Sequence, residues 1–349
     1  MEREKYWDSL KFILIFFVVY GHIVPHYLGN SHFNMAIYNL VYFFHMPLFV
    51  FVSGRFSHIR DRRKYKSGII RLIETYVVFQ IVRTFVSVLF ENEEFTIDCI
   101  ITPSWTLWYL ISLSYWRLMV YVIHGKYGQY WIQRHCNMLI LASFCISIMA
   151  GFIPIDYPFG IQRTLSFLPF FVLGFYSVNT NVMKIINRIH PLFAIFILFS
   201  VFFVLYFLIY ENLDYIHHGS IPYWAEDGVH TFYRLGLRCL FFPIAIIISL
   251  SVMRITPSFS KFAEWGRATL FIYIFHSFAL RELLFPFADN IAVMQHPLML
   301  FCHAIIITAG LLLLSHSKFM NNMITPISYI KSRFKALGSP HGSFSDRWQ

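Results

Sequence analysis

The sequence predicts an all-α integral membrane protein with about ten transmembrane helices and both termini in the cytoplasm. Three observations predict it. The 349 residues are 57% hydrophobic and only 13% charged, about half the charge of an ordinary soluble domain. Mean hydropathy is +0.57, and apolar runs close to the roughly 20 residues that cross a bilayer recur along the chain. Finally, Lys and Arg concentrate on alternate connecting segments.

Ten runs read as spans: 10–28, 35–55, 70–90, 105–124, 138–153, 165–179, 192–210, 235–253, 268–287 and 297–316. The fifth and sixth are short and are separated by Pro154, Pro158 and Gly160, so they also fit a re-entrant pair. No A-x-A-like cleavage site follows the first run, which therefore reads as a retained helix. No internal repeat is visible. Residues 1–316 form one membrane domain, and 317–349 form a basic cytoplasmic tail.

Basic residues set the orientation. With the N-terminus inside, the inner segments carry 22 Lys and Arg, and the outer loops carry only Arg163 and Arg234. That bias is the positive-inside signature. The outer loops are acidic instead, with Glu91, Glu93, Glu94, Asp98, Glu211, Asp214, Glu226 and Asp227. The net charge of +10 is thus a topology signal and does not imply a nucleic-acid partner. The densest basic loop, Arg55–Arg71, suits anionic lipid or a phosphorylated cytosolic ligand. Five scattered cysteines, Cys99, Cys136, Cys145, Cys239 and Cys302, lack disulfide or zinc spacing, and no metal is expected.

Ionisable residues inside spans are costly and mark function. Lys11 and His22 are eleven residues apart, about 16 Å along a helix and on nearly one face. His45 falls near mid-membrane on the second run and His276 about 12 Å from the cytosolic side of the ninth. His22 and His45 lie at similar depth. Arg83, Arg117 and Arg281 add interior positive charge, with Glu74 and Glu282 as available acids. Trp108 and Tyr109 can stack on a sugar or sit in an interfacial aromatic belt. Ser53 and Gly54 read as packing or turn residues. Together these residues predict a polar path across the bilayer.

Histidine is suited to proton transfer near neutral pH. His22 can serve as a general base on a hydroxyl that attacks an acyl thioester, or as a transient acyl carrier. A transporter or flippase for a glycolipid or small anion would use a similar lining, although the internal symmetry common in transporters is absent. Metalloprotease, P-loop, dinucleotide and nucleophile-elbow motifs are missing.

The chain resembles membrane acyltransferase family 3, in particular its stand-alone fucose 4-O-acetylase-like branch, through six ordered motifs: "YWDSLKFILIFFVVYGH", "FFHMPLFVFVSG", "SGIIRLIETYVVF", "SWTLWYLISL", "FLPFFVLGFY" and "ATLFIYIFH". The match covers about residues 5–315. The resemblance implies O-acetylation at the bacterial inner (cytoplasmic) membrane. The acyl group would pass from cytosolic acetyl-CoA, a co-substrate, to a carbohydrate acceptor of the cell envelope. It implies a basic residue, ten intervening residues and then an essential histidine, here Lys11 and His22. Many members carry Arg at the first position, so Lys11 keeps the charge without the bidentate fork. The family's Arg-x-x-Arg at the start of helix three is only half present: Arg71 matches, and Gly68 stands at the other position. Lys11, Arg62, Arg63 and Arg71 are therefore expected to bind the donor, with Lys66 as a further cation. His22 and His45 are expected at the chemistry, and Trp108, Tyr109, Arg83, Arg117 and His276 around the acceptor or cavity. Oligomeric state is left open.

The charge bias makes a direct prediction. In a cysteine-free background, Lys64→Cys will react with an impermeant maleimide only in broken spheroplasts, whereas Glu211→Cys will react in intact ones. The reverse labelling would invert the topology.

Overall fold

The computed structural model describes residues 2–29, 31–90, 94–153, 158–209, 211–224 and 231–324. Glu91, Glu93, Pro154, Glu226, Asp227 and the tail from residue 325 lie outside the described residues. No strand occurs among the described residues, so the all-α expectation holds.

The helices run in the order α1 (Glu2–Ile23), α2 (His32–Arg55), α3 (Arg62–Phe90), α4 (Asp98–Ile101), α5 (Trp108–Arg134), α6 (Cys136–Ala150), α7 (Ile161–Tyr176) and α8 (Val182–Arg188). Next come α9 (Pro191–Leu208), α10 (Asp214–His217), α11 (Thr231–Ile255), α12 (Ser260–Trp265), α13 (Thr269–Phe278), α14 (Phe285–Ala288), α15 (Pro297–Leu314) and α16 (Lys318–Asn322). Among the described residues, seven segments are long and apolar enough to cross a membrane: Lys5–Tyr27, α2, α3, α9, α11, Ser260–Ala288 and α15. The other three expected spans also fall on helices, but of different form. Helices α5 and α6 are bent by 106° where they join, and α7 has 16 residues. Gly128, at φ 77°, breaks the helical path within α5.

Helices α1 and α2 form the centre. Leu10, Leu14, Ile15, Val18 and Val19 of α1 are fully buried, whereas α9 and α15 turn most of their apolar surface outward. A helix that is apolar all round is stable there because hydrocarbon is its solvent. Association must then come from close packing, which small residues permit. Helices α2 and α7 pack most extensively, and two glycines explain why. A Cβ on Gly54 would strike the Phe171 carbonyl, and one on Gly174 would strike the Phe51 carbonyl. Gly54 is therefore a packing residue. Gly266 makes the same accommodation where the chain beyond α12 crosses the backbone of Asp8 in α1.

One connection folds inward. The 211–224 segment is tied to the bundle by four side chains from three helices, α2, α7 and α11. Asn39 Nδ2 donates to Glu211 O at 3.1 Å and its Oδ1 accepts from Leu213 N at 3.2 Å. Ser166 Oγ donates to Gly219 O at 2.7 Å. Arg238, buried in α11, donates to Ile216 O at 2.9 Å and Ser166 O at 3.0 Å. Arg234 donates to Pro222 O at 2.9 Å. An arginine in apolar surroundings is tolerated here because carbonyls accept its protons.

The α2–α7 crossing gives a stability prediction. Gly174→Val should cost at least the ~1–3 kcal/mol typical of overpacking, because backbone cannot swing aside. Gly310→Ala, which meets nothing within 4 Å, should leave the melting temperature in detergent unchanged. Equal melting of both variants would contradict the close approach.

Candidate active site

Two cavities penetrate the bundle from opposite ends of α1. The first, of about 300 Å³, is lined by Lys11, Phe49, Ser53, Phe56, Ser57, Tyr109, Leu110, Arg117, Arg267, Thr269 and Tyr273, among others. The second, of about 260 Å³, is lined by His22, Tyr42, His45, Pro103, Trp105, Thr106, Trp108, Arg163, Phe167, His217, His218 and Tyr273. Tyr273 belongs to both. Its hydroxyl donates to the Thr106 carbonyl, so the ring stands as a fixed partition between them. The eleven-residue spacing of Lys11 and His22 thus spans one cavity to the other.

The histidines in and behind this cavity have a defined hydrogen-bond order, and His276, expected at the cavity, is fully buried and is not among its lining residues. His45 Nδ1 donates to Val41 O at 2.8 Å, and His276 Nδ1 donates to Tyr273 O at 2.7 Å. A neutral imidazole whose Nδ1 carries the proton leaves Nε2 as a lone pair. His276 Nε2 is buried without a hydrogen-bond partner. The His22 ring lies 5.3 Å from the His276 ring and 4.9 Å from Trp105, and no hydrogen bond engages it among the described residues. His276, not His45, is therefore the ring beside His22, while His45 packs on Tyr42 at 4.5 Å. Helices α1 and α2 come close here because Gly21 precedes His22: a Cβ at Gly21 would lie 3.3 Å from Val41 and 3.9 Å from His45 Cε1.

Trp105 has φ 36°, a left-handed conformation that a bulky residue adopts at a cost of about 1–3 kcal/mol. The strain holds its ring between His22 and the Arg281 guanidinium, which sits 5.2 Å over it. Trp108 is buried and faces the cavity beneath Arg163, at 5.4 Å. Its burial is incompatible with an interfacial belt. Tyr109 is also buried, but it lines the lysine cavity and hydrogen-bonds Ser53, away from the histidines.

In the lysine cavity, Lys11 Nζ pairs with Asp8 at 2.6 Å and lies 5.0 Å from the Phe56 ring. The cations that join it are Arg117 and Arg267. Arg62, Arg63 and Arg71 are exposed on α3 and are not among the lining residues, and Arg62 covers Tyr121 at 4.7 Å. The glycine at position 68 explains the exchange. A Cβ there would lie 3.5 Å from Arg117 Nη1, so the guanidinium of Arg117 fills space beside α3 that a longer residue at position 68 would occupy. Arg117 lines the lysine cavity, whereas Arg83 does not. It is buried in an ion pair with Glu282 at 2.7 Å and lines neither cavity. Residues Ala279–Leu284 form a π-helical turn, an irregularity that often accompanies functional sites; here it carries Arg281 and Glu282.

The sequence model of the acyltransferase domain of family 3 matches residues 4–317. The chain belongs to acyltransferase family 3. No curated protein and no solved structure shows significant similarity to it. Membership decides between acyl transfer and transport: the protein is a multi-pass membrane acyltransferase. Sequence reasoning missed four cationic or imidazole residues of this acyltransferase's cavities, Arg163, His217, His218 and Arg267, and the aromatic Trp105 and Tyr273. Arg163 had a signal, as one of only two basic residues on the acidic side.

The Arg83–Glu282 pair is predicted to be structural. Removing either partner alone should cost about 3–5 kcal/mol, discounted because Glu282 is partly exposed, and Arg83→Met with Glu282→Met should recover part of the loss. Thermal melts of the singles and the double check this. Additive losses would show that the two groups do not interact.

Proposed function

We propose that this acyltransferase moves an acyl group, acetyl in the first instance, from cytosolic acyl-CoA to a carbohydrate hydroxyl of a surface polysaccharide or glycolipid. The observation that carries the reading is the pair of cavities meeting at Tyr273, one bearing cations and the other histidines. The location that fits is the bacterial inner membrane, with the termini and the lysine cavity cytoplasmic. The bias of 22 basic residues to two supports that orientation.

Acyl-CoA presents phosphates on a long thiol arm. Lys11, Arg117 and Arg267 offer charge-assisted donors to the phosphates, and Phe49, Phe56 and Leu110 offer apolar wall to the arm. The thioester would reach Tyr273 from this side. The acceptor would occupy the histidine cavity, with its sugar ring against Trp108 and its hydroxyls near Arg163.

His22 then acts as general base. Its imidazole takes the acceptor hydroxyl proton, and the oxygen attacks the thioester carbonyl. The tetrahedral intermediate collapses with cleavage of the C–S bond, and the leaving thiolate recovers the proton from the imidazolium. His45 and His276, held in one tautomer by their own helices, present lone pairs to the same region and orient hydroxyls or the His22 N–H.

Membranes carrying the protein should transfer label from radiolabelled acetyl-CoA to extracted surface glycan. His22→Ala should slow this by about 10²–10⁴-fold. Arg117→Ala and Lys11→Ala should raise KM for acetyl-CoA more than they lower kcat, because each removes binding to a remote part of the donor. Equal transfer by wild type and His22→Ala would remove His22 from the mechanism.

A further inference from the structure

Beside the histidine cavity, one turn of the inward-folded segment brings together three side chains to which the mechanism gives no role. Asp214, His217 and His218 stand at i, i+3 and i+4 of α10 and its cap. One ligand atom from each lies within 4.8 Å of the others. His217 Nδ1 is 3.9 Å from Asp214 Oδ1, and His218 Nε2 is 3.4 Å from the same oxygen.

The hydrogen bonds around His217 determine its tautomer. Asn39 Oδ1 accepts from Leu213 N, and Asn39 Nδ2 donates to Glu211 O, so the amide orientation is set. His217 Nε2, 3.1 Å from Asn39 Oδ1, must then be the N–H donor. Nδ1 is left as a lone pair, buried and without a hydrogen bond, and it faces a carboxylate oxygen. Two electron-rich atoms opposed in a buried place repel unless a cation lies between them. Asp214 is oriented as well: its Oδ1 accepts from Tyr38 and its Oδ2 from Asn212 Nδ2 at 2.8 Å. His218 Nε2 also lies 3.2 Å from the Tyr38 hydroxyl.

We propose that Asp214, His217 and His218 hold a divalent cation of the zinc class at the rim of the histidine cavity. Ligands at about 2.0–2.1 Å in a tetrahedron are about 3.3 Å apart; the observed edges to Asp214 are 3.4 and 3.9 Å and all three atoms lie within 4.8 Å, so binding needs the three side chains to draw together. One carboxylate and two imidazoles are a donor set that zinc accepts, with a fourth position open. Asn39 then orients a ligand histidine through its far nitrogen, as second-shell groups do in metal sites. Both histidines also line the cavity, so a water or hydroxyl there is the natural fourth ligand. That role in acceptor binding rests on the acyl-transfer reading; the cation site itself does not.

The test uses the full chain, purified and stripped with a chelator, and needs no activity. Cobalt(II) titration should give the visible bands of a four-coordinate ion, and dialysis against zinc should load one ion per chain. Asp214→Asn and His217→Ala should each weaken binding by about 100-fold or more, and Asn39→Leu by about 10–100-fold. Zinc should raise the melting temperature of wild type but not of Asp214→Asn. The latter keeps the side-chain shape and decides the matter if His217→Ala does not fold. Failure of stripped wild type to bind, or binding unchanged by Asp214→Asn, would overturn the site; the second result would mean an adventitious ion held by other histidines.

Discussion

A polar group inside a bilayer has no water to bond to, so its partners must come from the protein. That constraint organises this molecule. His45 and His276 donate to carbonyls of their own helices, which satisfies one nitrogen and leaves the other as a lone pair. Arg238 is spent on two carbonyls, and Arg83 on Glu282. Where the chain can close such bonds the bundle is solid. The two cavities are where further imidazoles and cations gather.

On the proposed reading, the two cavities divide the chemistry by charge and by side. Cations gather at one end of α1 and imidazoles at the other, and Tyr273 stands where they meet. Glycines make the arrangement compact. Gly54 and Gly174 bring α2 onto α7, and Gly21 brings α1 onto α2 beside His22. The 211–224 segment closes the histidine end because Asn39, Ser166, Arg234 and Arg238 hold its carbonyls.

Much of this was legible in the sequence, because hydrocarbon imposes a simple pattern. All ten expected spans fall on helices, and Lys11, His22, His45 and His276 stood out as polar residues in apolar runs. What escaped was non-local. Nothing along the chain reveals that Arg117 of α5 fills the space beside Gly68 of α3, or that Arg62, Arg63 and Arg71 are exposed on α3 and are not among the residues lining either cavity. Arg83 read as a cavity residue until its partner, 199 positions away, was visible. The segment "DYIHH" has its ligand spacing in plain view. Its significance depends on folding inward, which follows from hydrogen bonds to distant helices.

The central claim is that donor and base meet across Tyr273. Its most direct test is the structure of the protein in a lipid nanodisc with a non-hydrolysable acyl-CoA analogue. The account predicts phosphates against Lys11, Arg117 and Arg267, with the acyl end at Tyr273 and directed toward His22. An analogue bound along Arg62, Arg63 and Arg71, with its acyl end outside the lysine cavity, would contradict it.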